Sequence, residues 1–263
     1  MLGREQKAWL KDRLIKSTAT WKIWGVTNGP LDMRTDPQNL PAGLAKTPWM
    51  GKDYGTFGSG DFSGAFAERA EIYDTVRDHK IPGFVTVSGD RHSFWAGYAA
   101  PRLPPDGFHP VGLSFITGSI SAPGLGEAAE YMKPSPMLPL FVRKTAGAAP
   151  EHTINLTIKR GVRAALEYAS SGDIARARAL TNPDVAPHLA FVDMAGHGYT
   201  VVSAGPGAIE TEFVCIARPI ARATTPDGGP LRYRVSHRAM MWQPGGAPTL
   251  EQRVKEGNVD LST

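Results

Sequence analysis

Phe84-Val85-Thr86-Val87-Ser88, then Gly89-Asp90-Arg91-His92, then Ser93-Phe94-Trp95-Ala96-Gly97 is the stretch whose reading decides the fold. The first five residues form a strand-sized apolar run, and the glycine after them lets the chain turn as it leaves a sheet. In an extended chain, side chains two residues apart point the same way, so Asp90 and His92 can offer lone pairs to one metal ion. The same residues also suit an aspartate that caps a loop beside a half-buried histidine, and the spacing does not choose between the two.

Working outward, Asp61-Phe62-Ser63 opens a helix on which Phe66, Ala70, Tyr73 and Val76 line one face through about Asp78. Ile81-Pro82-Gly83 ends it and delivers the chain into the strand. Helix, turn, strand and site in that order are typical of α/β enzymes, in which ligands gather beyond the carboxyl ends of strands. Upstream, residues 4–17 have helical spacing, with Trp9, Leu10, Arg13 and Leu14 in register, and Trp21–Val26 alternates as a strand. Thr27–Gly60 is too long for an ordinary connection, which predicts a functional loop. Its Asn28, Asp32, Arg34, Asp36 and Asn39 bring oxygen ligands and a guanidinium fork that suits a phosphate.

Downstream, Val111–Thr117 is a strand that runs into Gly118-Ser119-Ile120-Ser121, whose hydroxyls and N–H groups suit an oxyanion pocket or a structural turn. Residues 125–160 carry little pattern. Gly161–Ser171 and Ile174–Leu180 read as helices, with Asp173 as N-cap. Leu189–Met194, Tyr199–Ser203, Ile209–Ile216 and Leu231–His237 read as strands, and the polar tail after Pro244 is expected to run over the surface. His197 lies between two glycines, where it could be aimed at a site or simply occupy a hairpin. A serine hydrolase built on Ser119 and His197 ranks low, because the G-x-S-x-G elbow is lacking.

The composition excludes several classes. The 263 residues are 41% hydrophobic, enough for one substantial core, and no domain boundary is visible. No apolar run approaches the roughly 18 residues of a membrane span. The net charge of +4 is interspersed, which argues against a nucleic-acid-binding module. A lone Cys215 in an alternating run excludes an intrachain disulfide and predicts a buried thiol. No signal peptide is visible in the first residues.

Together these segments resemble the alkaline phosphatase D (PhoD-like) family of metallophosphatases. The resemblance is carried by Met1–Leu10, Trp21-Lys22-Ile23-Trp24-Gly25, Gly89–Trp95 and Gly118–Gly124, and extended by Asn182-Pro183, Phe191-Val192-Asp193 and Gly198-Tyr199. It implies an α/β (α+β) fold: a calcineurin-like β-sandwich flanked by helices, incomplete at its N-terminal half. It also implies a metal-dependent phosphoric ester hydrolase, an alkaline phosphatase or phosphodiesterase, using iron with calcium and located in the periplasm or outside the cell. Asp90 and His92 take the metal-ligand role, with Asn28, Arg34, Ser93, Ser119 and His197 as substrate-facing or supporting residues. The family's upstream ligand blocks have no counterpart here, and where the Trp-Gly block usually continues with Asn this chain has Val26, so Asn28 is the nearest amide. The expected partners are a phosphate-ester substrate and either the missing N-terminal half or a second copy. The alternative is a non-catalytic binding or assembly module on the same fold. If half of the sandwich is absent, its exposed sheet face and edges are expected to favour aggregation or dependence on a partner.

Overall fold

The structure is a computed structural model that describes residues 1–45, 47, 49–51, 53–57, 61–224, 226 and 228–263. In chain order the elements are α1 (Arg4–Lys16), β1 (Lys22–Val26), β2 (Arg34–Thr35), β3 (Gly55–Thr56), α2 (Phe66–Asp78), β4 (Phe84–Ser88), β5 (Phe94–Ala99), β6 (Gly112–Ile116), α3 (Ile154–Arg160), α4 (Val162–Ser171), α5 (Ile174–Ala179), β7 (Leu189–Asp193), β8 (His197–Ala204), β9 (Ala208–Ile216), β10 (Leu231–Met240) and β11 (Glu251–Gly257).

Two sheets make a sandwich. The first has the order β1-β4-β6-β5-β7, with β1, β4 and β6 parallel and β5 antiparallel to both its neighbours. The second, β11-β10-β9-β8, is wholly antiparallel. Period-two alternation decides which side chains meet. Val85, Phe94, Ala96, Leu113 and Phe115 turn towards Ile209, Phe213, Cys215, Tyr233 and Val235 of the second sheet. Phe94 and Phe213 stack with ring centroids 5.0 Å apart. On the opposite face of the first sheet Phe84 packs against Leu10 and Leu14 of α1 and against Ile72, Tyr73 and Val76 of α2. Trp95, Ile116 and Val192 instead meet Ile154 and Ile158 of α3. The fold is therefore a mixed α/β sandwich flanked by helices, as the resemblance implies, and Cys215 is buried in its core.

Several local expectations are corrected. Phe66 is 66% exposed and Trp9 59% exposed, while Phe62, ahead of α2, is buried in place of Phe66. The unpatterned 125–160 segment holds α3, which packs Ile154, Leu156 and Ile158 inward. The tail does not simply run over the surface: Glu251–Gly257 adds to β10 as an edge strand, and Val259 and Ser262 are buried. The Thr27–Gly60 segment carries the two-residue pairing of β2 with β3, and its Lys46, Pro48, Lys52 and Gly58–Gly60 lie outside the described residues.

On one side of the molecule the first sheet ends at β1 and the second at β8. Between them opens a cleft of about 750 Å³ lined by Val26, Val87, Phe115, Ile120, Tyr199 and Val202 among others. The Trp21 indole, just ahead of β1, donates to the Gly205 carbonyl just past β8 at 2.7 Å, and the Thr200 hydroxyl of β8 donates to that of Thr117, just past β6, at 3.0 Å. No helix among the described residues is long and apolar enough to cross a membrane.

Candidate metal centre

The register places Val26, Ser88, Ile116 and Asp193, together with the start of β5, at one rim of the first sheet. The Gly89–Ser93 turn crosses this rim between β4 and β5. It is not extended. Asp90 and His92 both adopt positive φ, 63° and 50°, a left-handed conformation uncommon for residues with a side chain. The extended-chain geometry that would aim both side chains the same way is therefore replaced by a strained turn.

Arg91, between them, fixes that turn. Its guanidinium is buried and donates from Nε to Asp61 Oδ2 at 2.8 Å and from Nη2 to the Gly29 carbonyl at 2.6 Å. It also lies 4.7 Å over the Trp95 ring. Burial pulls the Arg91 pKa down, and the Asp61 carboxylate opposes that shift. By gripping Gly29, Arg91 holds the loop after β1 against the turn. Asn28 Nδ2 then donates to Asp90 Oδ2 at 3.4 Å, and Asn28 Oδ1 accepts from the Thr27 hydroxyl at 2.7 Å. A Cβ on Gly29 would lie 2.8 Å from Arg91 Cζ and 2.7 Å from Ile116 Cδ1, so only glycine fits there without movement.

Asp90 is exposed and His92 half-buried. His92 Nδ1 lies 3.0 Å from the Pro123 carbonyl. A carbonyl only accepts, so Nδ1 carries the proton and a neutral ring keeps its lone pair on Nε2. That is the tautomer in which histidines commonly ligate metal, with the other nitrogen hydrogen-bonded behind. A carboxylate, an imidazole and an amide are suitable ligand chemistry for iron, and the oxygens for calcium. Among the described residues no group of three His, Cys, Asp or Glu could hold a metal ion.

The remaining sequence candidates are placed differently. Ser93 is buried and donates to the Arg91 carbonyl at 2.8 Å while accepting from the Trp95 indole at 2.7 Å, which braces the turn from inside. Arg34 is not brought to the others. Its fork donates to the carbonyls of Val185, Pro104 and Asp184 and stacks on Tyr54, so the expected phosphate fork is a buried main-chain clamp beyond the far end of β5. Ser119 donates to the Ala122 carbonyl at 2.6 Å, and its backbone joins that of His197. His197 opens β8 and meets Glu127 Oε1 through Nε2 at 2.8 Å. No hydrogen bond joins Ser119 and His197 side chains among the described residues, and both are held by other groups.

Sequence reasoning missed Arg91, Asp61 and Glu127. Arg91 lay inside the motif, but nothing in the pattern separated it from a solvated arginine. Glu127 carried a weak signal, since it stands three residues after Gly124 in the spacing of a capping box.

The fold is thus a layered α/β sandwich in which Asn28 and Asp90 meet beyond the ends of its parallel strands. Comparison with family models makes it specific: the PhoD-like phosphatase model matches residues 1–213, and the chain belongs to that family. A solved structure, "Structure of PhoD", matches with a TM-score of 0.55 at 16% identity, over 98% of this chain and 35% of that chain. This chain thus spans about a third of the relative it matches, and the likeness shows a shared fold. A search of curated proteins gives no match.

Proposed function

We propose that the chain carries one part of the centre of a metal-dependent phosphoric ester hydrolase. The observation that supports this most directly is the His92 ring, whose Nδ1–H is engaged by Pro123 so that Nε2 is left for a metal beside exposed Asp90 and the Asn28 amide. In this reading Asp90 and His92 hold the ion and Asn28 orients the Asp90 carboxylate. A metal held there supplies Lewis acidity to a phosphoryl group. Arg91 and Ser93 keep the turn rigid so that ligand atoms do not have to be ordered on binding.

Affinity depends on the number and geometry of ligand atoms, so residues 1–263 alone are expected to bind metal weakly and turn over little. Further ligand atoms would come from polypeptide that adds to the β1 and β8 edges, since Thr27 and Gly89, which flank the candidate ligands, also line the cleft between those edges. Iron and calcium are the ions that family resemblance favours.

The test is hydrolysis of p-nitrophenyl phosphate and bis-p-nitrophenyl phosphate by purified 1–263 supplied with iron and calcium. Robust turnover abolished by Asp90→Ala would overturn the partial-centre reading and favour a self-sufficient enzyme. Absence of bound metal, with His92→Gln indistinguishable from wild type in metal titrations, would favour the second reading, a non-catalytic binding or assembly module. The small ligand set among the described residues is what keeps that second reading in view.

A further inference from the structure

Behind His92 stands a buried assembly that the metal-centre reading does not use. Glu127, 3% exposed, reaches back so that Oε2 accepts the Gly124 N–H at 2.9 Å. Its Oε1 is met by His197 Nε2 at 2.8 Å and by Arg218 Nε at 3.0 Å. The same Gly124 N–H belongs to the peptide unit whose carbonyl, that of Pro123, takes the proton of His92 Nδ1 at 3.0 Å.

A peptide unit is planar, so its N–H and C=O turn together. The 123–124 plane is therefore gripped at both ends, by a carboxylate on the N–H and by an imidazole on the carbonyl. An anion at the N–H end polarises the unit and strengthens its carbonyl as an acceptor. The plane is also packed. A Cβ on Gly124 would come within 2.9 Å of Ala195 Cα, and the Leu125 N–H donates to the His92 carbonyl at 3.3 Å.

We propose that Glu127, held by His197 and Arg218, is a positioning residue that sets the tautomer and ring orientation of His92 through the Pro123–Gly124 peptide. This rests on His92 facing a metal through Nε2. A helix-capping role alone would leave the His92 ring indifferent to the length of the side chain at 127. A positioning role makes the ring respond, because Glu127→Asp keeps the charge beside His197 and Arg218 but withdraws it from the Gly124 N–H.

The experiment uses 15N-histidine-labelled protein without added metal, at a pH where imidazoles are neutral, with His92 resonances assigned by their loss in His92→Gln. Wild type should show the Nδ1–H form. Glu127→Asp and Glu127→Ala should move His92 towards the Nε2–H form, and Glu127→Gln, whose amide oxygen can still accept from Gly124, should restore it. Mn2+ titration should follow, with affinity about tenfold weaker for Glu127→Asp than for wild type. Should Glu127→Ala not fold, Glu127→Asp and Glu127→Gln carry the comparison. A folded Glu127→Asp with unchanged His92 shifts overturns the proposal. If His92→Gln leaves Mn2+ binding untouched while Glu127→Asp still switches the tautomer, the metal reading fails and the positioning link stands.

Discussion

Replacing Arg91 with methionine tests the physical basis of the site without touching a candidate ligand. The side chain is 1% exposed and its partner Asp61 15% exposed, with Nη2 and Oδ2 2.6 Å apart. Removing one member of a buried ion pair costs about 3–5 kcal/mol. The lower end applies, because Asp61 keeps a route to water and methionine refills most of the volume. An orphaned Gly29 carbonyl adds about 1–3 kcal/mol. The Trp95 face loses its cation but gains a sulfur contact, a near-even exchange. The net expectation is about 4–6 kcal/mol, a fall in Tm of roughly 8–24 °C for a chain of this size. Urea unfolding of wild type, Arg91→Met, Asp61→Asn and the double variant measures it. The double variant should cost clearly less than the sum of the singles, because the second substitution removes a charge that the first has stranded. Arg91→Met within 1 kcal/mol of wild type, or strict additivity, would refute the claim that this pair holds the turn.

Three other outcomes follow from particular contacts. Burial pulls His188 and His237 down from 6.5 to about 4, so the unfolded chain binds more protons in that window and stability falls as pH falls through it. Each ring should cost about 2 kcal/mol by pH 5, and His237→Phe should flatten the pH dependence of the urea midpoint; an unchanged slope would reject the assignment. Gly29→Ala should destabilise by about 1–3 kcal/mol through contact with Arg91 and Ile116, and a neutral result would mean that the loop relaxes freely. Val201, 47% exposed on the uncharged β8 edge, should drive concentration-dependent association that Val201→Lys suppresses; sedimentation showing monomer for wild type at all concentrations would count against a sticky edge.

Elements with strong periodicity were legible in the sequence. The apolar run of Phe84–Ser88, the alternation of Ile209–Ile216 and the N-cap of Asp173, which accepts from the N–H groups of Ala175 and Arg176, needed no tertiary information. Helix α3 was hidden because Thr153, Asn155 and Thr157 are weak helix formers whose polar groups find partners only after folding, as when Thr157 donates to the Leu140 carbonyl at 2.6 Å. Strand β11 was hidden for the opposite reason: Glu251–Gly257 has mostly exposed side chains on both faces, so pairing with β10 leaves no apolar alternation to detect. At the site, residue types and order were readable, but backbone conformation was not. Asp and His tolerate positive φ better than most residues, yet nothing local required it. The requirement comes from Arg91, whose partners Gly29 and Asp61 lie 62 and 30 residues away.

Two features that look separate meet in one place. A proposed ligand pair of Asp90 and His92 would, alone, suit a degenerate enzyme. A sandwich whose sheets end at β1 and β8 beside an apolar cleft would, alone, suit a protein that pairs with copies of itself. Here Thr27 and Gly89 belong to both, since they adjoin the candidate ligands and line the cleft between β1 and β8. Strands added at β1 would continue the parallel order of β1, β4 and β6, and strand ends at that rim are where ligand groups collect in such sheets. One addition would then cover the apolar lining, pair the open N–H and C=O groups of the edge, and bring further side chains to Asp90 and His92. Under the proposed function, filling the cleft and completing the metal centre are therefore one event, and metal affinity should rise with whatever polypeptide suppresses association at the β8 edge.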